Sequence, residues 1–469
     1  MLSIIIKNNY SKIAIANIIQ QILSLITTSY LIKSIGSINY SNIVFFLVTA
    51  NAVLMFLNCW INPFYIREAS LEYQRNKRVN ETLTTIFLLL LFITLAFIIY
   101  SYIGKINFIS TESLYLLFFF ILAQLVIYVT KLTFRIQNKI NKYIAILIGE
   151  KFIFLISIII YFYSTNLINI NLIIIILTLS YLFIAILFLF FLIQNYKFKI
   201  PSKIFVKDYI RNSTFILFAT IFVFFTSYEY LIIILNNSEF QKIITYLAIG
   251  YMFSNLIYMP VYWLEQLIGP KINLVFNSNN NNYKIKYYKD IGLYFLYLCF
   301  FMQLIIINVL INTNILIFLF DNSFIENIYY VIIIIFVTNS KLIDTIFSIP
   351  IFAKKFEKKV MFFNIFKALI FLYFFLILGI SSDNLIILFI LLSFLQNFYY
   401  IYLNSQLVNN YRFKEEIIYL ILTLTGFLIY LYTEFFMLYS LILICFLILF
   451  LSYKKLIIIK HISEIDKII

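Results

Sequence analysis

Residues 171–193, NLIIIILTLSYLFIAILFLFFLI, contain no charged side chain, and the stretch that follows, QNYKFKIPSKIFVKDYIR at 194–211, carries Lys197, Lys199, Lys203, Lys207 and Arg211. An apolar run of about 20 residues is what a helix needs to cross the hydrocarbon core of a bilayer. Polar and apolar positions do not alternate, so a membrane β-strand does not fit. A block of Lys and Arg directly after such a run marks the end held in the cytoplasm. The composition says the same of the whole chain: 64% of its 469 residues are hydrophobic and 12% are charged, against about 45–50% and about 25% in soluble domains. A soluble fold cannot hide that much apolar surface. With 8 Gly, 5 Pro and 3 Cys in all, collagen-like, disordered and disulfide-scaffold classes are excluded as well. The expected class is an all-α polytopic membrane protein.

Reading outward from 171–193 gives fourteen expected helices. Twelve lie at about 13–32, 43–65, 83–103, 114–134, 143–163, 171–193, 213–235, 243–264, 291–311, 328–349, 361–380 and 385–406, and a shorter final pair at about 417–432 and 435–453. The final pair reads either as two spans or as a re-entrant hairpin. Lys and Arg test the count independently. With the N-terminus inside, the two tails and every even-numbered connection are basic and together hold 29 of the 35 Lys and Arg residues, while Lys33, Lys105 and Lys242 fall in the opposite connections. Lys131 is counted in the connection after the fourth helix. A missed helix would swap the alternation from that point on, so both termini are expected in the cytoplasm. The first apolar segment runs on into Lys33 without a small-residue cleavage pattern, and so reads as the first helix.

The net charge of +15 is spread over eight short segments, which suits orientation and anionic headgroups and not a nucleic-acid partner. Cys59, Cys299 and Cys445 lie in apolar runs, and His461 is the one histidine, so no metal site and no Ser/His or Cys/His catalytic pair is expected. No cofactor is expected either. Nothing resembles GxxxxGK[ST], and no connection is long enough for a nucleotide-binding domain. The chain is not expected to be an enzyme, since positioned acids, bases or metals do not cluster.

Two halves can be superposed on the sequence. Each starts after a basic stretch, crosses, turns, and returns through a helix with a proline near its cytoplasmic part. The prolines sit in Pro63-Phe64-Tyr65 and Pro260-Val261-Tyr262. Six helices per half preserve orientation, which makes the repeats parallel. The expected organisation is a six-helix lobe at 1–212, a second at 213–411, and an extra helix pair with a basic cytoplasmic tail at 412–469.

Four stretches carry a family resemblance: IGSINYSNIVFF at 35–46, NPFYIREA at 62–69, YEYLIIILNNSEFQKIITYLAIGYMF at 228–253 and LFDNSFIENIYYVIII at 319–334. The chain resembles the polysaccharide-exporter and O-antigen flippase branch of the multidrug/oligosaccharidyl-lipid/polysaccharide exporter superfamily. Ser41 and Asp321 stand where that pattern usually has glycine. The resemblance implies a flippase of the bacterial inner membrane that moves an undecaprenyl-diphosphate-linked oligosaccharide, an O-antigen, capsule or related glycan unit, by alternating access driven by a proton or sodium gradient. Membrane lipids and other glycan-assembly membrane proteins are the partners it implies. The alternatives are a cation-coupled multidrug antiporter of the same superfamily and, in another class, an integral-membrane sugar-chain polymerase or acyltransferase.

A charge near the bilayer centre costs at least about 2.5–3.5 kcal/mol, so each one needs a reason. Arg67, Lys341 and Lys367 are the candidates for the diphosphate. Glu229, with no basic residue within four positions, is the first candidate for ion coupling, and Asp344, three residues from Lys341, is the next. Glu150 and Lys151 are also intramembrane but adjacent, so they point in different directions. Asn51, Asn58 and Asn62 fall on one helical face and suit a sugar passage. Gln20, Asn364, Gln396 and Asn397 are further amides deep in helices.

Overall fold

The computed structural model describes residues 9–103, 111–165, 169–194, 196–202, 206–207, 220–225, 227–236, 241–277, 282–312, 319–320, 324, 327–340, 342, 346, 357–374, 382–407, 414–432 and 436–466. Among these the long elements are all α-helices. They run α1 (Asn9–Ile35), α2 (Ser37–Asn76), α3 (Glu81–Ile103), α4 (Thr111–Ile136), α5 (Ile140–Ser164), α6 (Ile170–Ile193) and α7 (Tyr228–Asn236). There follow α8 (Gln241–Asn277), α9 (Asn282–Asn312), α10 (Ile328–Ser340), α11 (Glu357–Leu372), α12 (Ser382–Leu407), α13 (Lys414–Tyr432) and α14 (Phe436–Asp466). The helices follow the expected order; residues 213–219 of the expected seventh helix and most of 341–349 of the expected tenth lie outside the described residues. Eight helices are long and apolar enough to cross a membrane among the described residues, with shorter apolar helices at Glu81–Leu95, Ile328–Val337 and Ile390–Leu403.

The boundaries differ where hydropathy and helix propensity part company. Expected to end near 65, α2 continues to Asn76, giving 40 residues or roughly 60 Å at about 1.5 Å per residue. Its added turns, IREASLEYQRN, are polar but rich in good helix formers. It stops at Lys77, whose φ of 55° is left-handed and whose N–H caps Tyr73 O. Likewise α14 runs to Asp466 and takes in much of the expected basic tail. The connection left between the expected helices at about 13–32 and 43–65 shrinks to Gly36, with φ 80°, between two helices. A side chain is disfavoured at that angle.

The chain forms two compact units, Met1–Asn236 and Asn237–Ile469. In the first, α4 packs on α6, α1 on α5, α2 on α4, α5 on α6, and α7 on α2. The inner face of α6 buries Ile173, Leu177, Tyr181, Ile184, Phe188 and Leu192, a helical spacing. Its outer face leaves Leu179, Phe183, Ile186 and Phe190 exposed. A helix apolar on both faces fits lipid as its solvent. In the second unit, α8 packs on α10 and α9, and α14 lies along α9. A Cβ on Gly250 of α8 would stand 2.6 Å from Val331 O of α10, so only a glycine allows that approach.

Candidate functional site

The polar groups of the first unit converge on α5. Residues 150 and 151 diverge by about 100° around the helix, and each meets different neighbours. Glu150, buried at 4% exposure, accepts from Gln20 Nε2 of α1 at 2.8 Å and from Lys131 Nζ of α4 at 2.8 Å. The Lys151 ammonium donates to Tyr181 OH of α6 at 2.7 Å. Three helices, α1, α4 and α6, are thus tied to α5 by charge and hydrogen bonding. Tyr40 of α2 shares a hydrogen bond of 3.1 Å with Thr28 of α1.

Lys131 was expected in a cytoplasmic connection, and the structure corrects that: it lies inside α4, which continues to Ile136. Its four-carbon stem carries the ammonium to Glu150. Nothing local in VTKLTF marks that partner, which comes from the neighbouring helix; the only sequence signal is an acidic residue, Glu150, in an apolar run. Burying such a pair adds little net stability, because desolvation offsets the attraction.

The second unit holds a cluster between α11 and α12. Lys367 is buried at 4% and Asn364 at 3%, with Ser393 at 5% and Asn397 at 0%. Lys367 Nζ donates to Gln396 Oε1. Asn364 Oδ1 and both amide atoms of Asn397 are buried without a hydrogen-bond partner among the described residues. Unsatisfied buried amides are rare in native proteins and call for an explanation. Elsewhere in this unit Lys289 approaches the buried Glu416 at 3.7 Å. The sole histidine also has a place, its Nδ1 lying 3.7 Å from Asp290.

The other expected site residues divide into two groups. Glu229 sits in the first turn of α7, half-buried, after a break in the helix. Ser227 caps that break, its Oγ accepting from Tyr230 N at 3.3 Å, so the carboxylate lies at a helix N-terminus, where negative charge is favoured. The sequence reads as a single helix through 213–235 and carries no sign of this break. On α2, Asn51 is exposed, and Asn58 is half-buried with an unpaired Oδ1 among the described residues. Lys341 and Asp344, and the side chains of Asn62 and Arg67, lie outside the described residues.

Within the stretches that carried the family resemblance, several described aromatic residues serve in packing. Tyr246 meets Phe324 edge-on with centroids 4.7 Å apart, and Phe324 stacks on Phe320 at 4.8 Å. Tyr40 and Tyr65 are buried at 5% and 0%. Among the described residues no group of His, Cys, Asp and Glu is placed to hold a metal.

No family model matches the sequence, and no curated protein matches it by sequence. Solved structures do match in fold. An outward-facing multidrug resistance MATE family transporter of the MOP superfamily aligns with a TM-score of 0.58 at 12% identity, covering 85% of this chain and 95% of its own. The MATE multidrug transporter DinF-BH aligns at 0.58 and 13%, covering 87% and 97%. A MOP superfamily transporter from Pyrococcus furiosus, described as having a binding pocket of reverse polarity suggesting a different function, aligns at 0.57 and 11%, covering 85% and 95%. The chain is a multi-pass membrane protein with the fold of the MATE transporters.

Proposed function

We propose that the protein is a flippase that moves an undecaprenyl-diphosphate-linked oligosaccharide across the bacterial inner membrane by ion-coupled alternating access. In this reading residues 1–212 and 213–411 are the moving lobes and 412–469 an accessory helix pair with its tail. A diphosphate and sugars cannot cross hydrocarbon unaided. A polar route carrying positive charge shields them, and the prenyl tail stays in the bilayer.

The observation that carries the proposal is the buried cluster on α11 and α12. An ammonium at 4% exposure beside amides with unused hydrogen-bonding capacity is costly unless it has work to do. A lysine offers a diphosphate its charge, and amides offer sugar hydroxyls both donors and acceptors. Arg67 and Lys341 complete the proposed diphosphate set, and Asn51, Asn58 and Asn62 the sugar passage. Glu229 and Asp344 are the proposed coupling carboxylates for a proton or sodium ion. The fold is equally compatible with a multidrug antiporter, but a buried cation suits an anionic substrate and repels a cationic one.

The test is complementation of a flippase-deficient strain, read as surface glycan at matched membrane levels of protein. Lys367→Met and Glu229→Gln are each expected to reduce export at least tenfold, and Lys367→Arg to retain part of it. Full export by both Lys367→Met and Glu229→Gln, or restored drug resistance without glycan export, would overturn the reading.

A further inference from the structure

Three connections of the first unit meet at one end of its helices and line an open cavity of about 280 Å³, bordered by Tyr73, Lys77, Arg78, Gln137, Lys139, Gln194, Tyr196 and Lys197. They are the connections after α2, α4 and α6, whose basic residues put them on the expected cytoplasmic side. Four of the lining residues are cationic and none is acidic.

Two nearby acids among the described residues, Glu72 and Glu81, are already engaged. Glu72 accepts through Oε1 from Asn80 N and Glu81 N, each at 2.8 Å. Its Oε2 accepts from Thr82 N at 3.0 Å and Thr82 Oγ1 at 2.8 Å, which caps the start of α3. Glu81 pairs with Lys199 at 2.6 Å and accepts from Ser202 N at 3.0 Å. Lys199 is therefore neutralised, whereas the side chains of Arg78, Lys139 and Lys197 have no ion pair or hydrogen bond among the described residues. Lys77 lies over the Tyr73 ring at 5.8 Å. Burial and the charge of Lys142 push the Lys139 ammonium below its ordinary value, the direction an uncompensated positive site gives.

The walls are fixed. Tyr196 OH shares a hydrogen bond of 2.6 Å with Thr84 Oγ1 and its ring packs edge-on to Phe87 at 5.5 Å. Lys197 N donates to Asn80 Oδ1 at 3.2 Å. Lys77 and Asn138, both at φ 55°, turn the chain sharply at two edges of the cavity, a conformation uncommon for residues other than glycine.

We propose that this cavity is a binding site for a phosphoryl headgroup, four cations on three connections receiving one phosphate ester at the membrane surface. The volume falls below the ~300–1,000 Å³ of a pocket for a drug-sized ligand, and its mouth at the helix ends suits a headgroup whose acyl chains stay in the bilayer. The site is separate from the α11 and α12 cluster and does not depend on the transport proposal. The same chemistry would accept an anionic phospholipid or a soluble phosphate.

The purified full chain in detergent decides between them. Its thermal unfolding is followed with phosphatidic acid, with phosphatidylcholine, and with inorganic pyrophosphate, against chloride at matched ionic strength. Stabilisation by phosphatidic acid that phosphatidylcholine and pyrophosphate do not give supports a lipid site. An equal effect of pyrophosphate supports the same site with a soluble ligand. The variant Arg78→Gln/Lys139→Gln is expected to need roughly 30-fold more ligand for the same shift, about fivefold for each cation removed. Lys454→Gln/Lys455→Gln, with the same change of net charge in the second unit, is expected to behave as the unaltered protein. No phosphate-specific shift, or equal losses in the two variants, would overturn the site.

Discussion

Replacing Lys131 by methionine tests whether the α5 cluster is a charge pair in substance. The two side chains are 19% and 5% exposed and 2.8 Å apart. Without the ammonium, the carboxylate of Glu150 keeps the Gln20 amide alone of the two donors described. Removing one partner of a buried pair costs about 3–5 kcal/mol. Partial exposure of Lys131 places the expected loss near the lower end, about 3 kcal/mol, or a fall in melting temperature of roughly 6 °C for a unit of this size. Glu150→Gln on its own leaves the less buried lysine, which reaches water more easily, and is expected to cost about 1–2 kcal/mol. The double variant removes both charges and leaves the introduced amide bonded to Gln20. It is expected to lie within about 1 kcal/mol of the unaltered protein, a coupling of about 2 kcal/mol or more. Thermal unfolding of detergent-solubilised protein, read as loss of the monodisperse gel-filtration peak, gives all four corners of the cycle. Losses that add to within about 0.5 kcal/mol would refute the reasoning, because independent groups do not share a buried charge.

Two further predictions probe packing and topology. Gly250→Ala forces a Cβ to 2.6 Å from the Val331 carbonyl oxygen and is expected to destabilise by about 1–3 kcal/mol; Gly149→Ala, which meets only Ile184 Cδ1 at 3.4 Å, is expected to stay within about 0.5 kcal/mol of the unaltered protein. With Cys59, Cys299 and Cys445 replaced, a single cysteine at position 357 should resist an impermeant thiol reagent in intact cells while one at position 167 reacts. Labelling at 357 from outside would refute the expected orientation.

Much of the architecture was legible in the chain because a bilayer leaves few choices. Backbone groups in hydrocarbon must pair within their own segment, so an apolar run such as 171–193 has one outcome, and α6 follows it almost residue for residue. Helix order followed for the same reason. Helix ends did not, since α2 and α14 continue through polar residues that hydropathy ignores and helix propensity favours. The break before α7 was equally hidden, because YEYLIIIL is as apolar as a continuous helix would be.

The candidate sites divide along the same line. That Glu150, Lys151, Glu229 and Lys367 needed a reason was evident from the cost of burying charge, a property each residue carries with it. What the reason is depends on which helix stands alongside. Gln20 lies 130 residues from Glu150 in the chain, and Gln396 lies 29 from Lys367; no periodicity within one helix specifies either partner. The cavity at the ends of α2, α4 and α6 makes the same point for the surface. Its lysines and arginine were visible in the sequence as orientation signals. Only the folded unit brings the three connections together, engages Glu72 and Glu81 elsewhere, and leaves four positive charges around one space, because electrostatics depends on distance in space and the chain fixes distance only along itself.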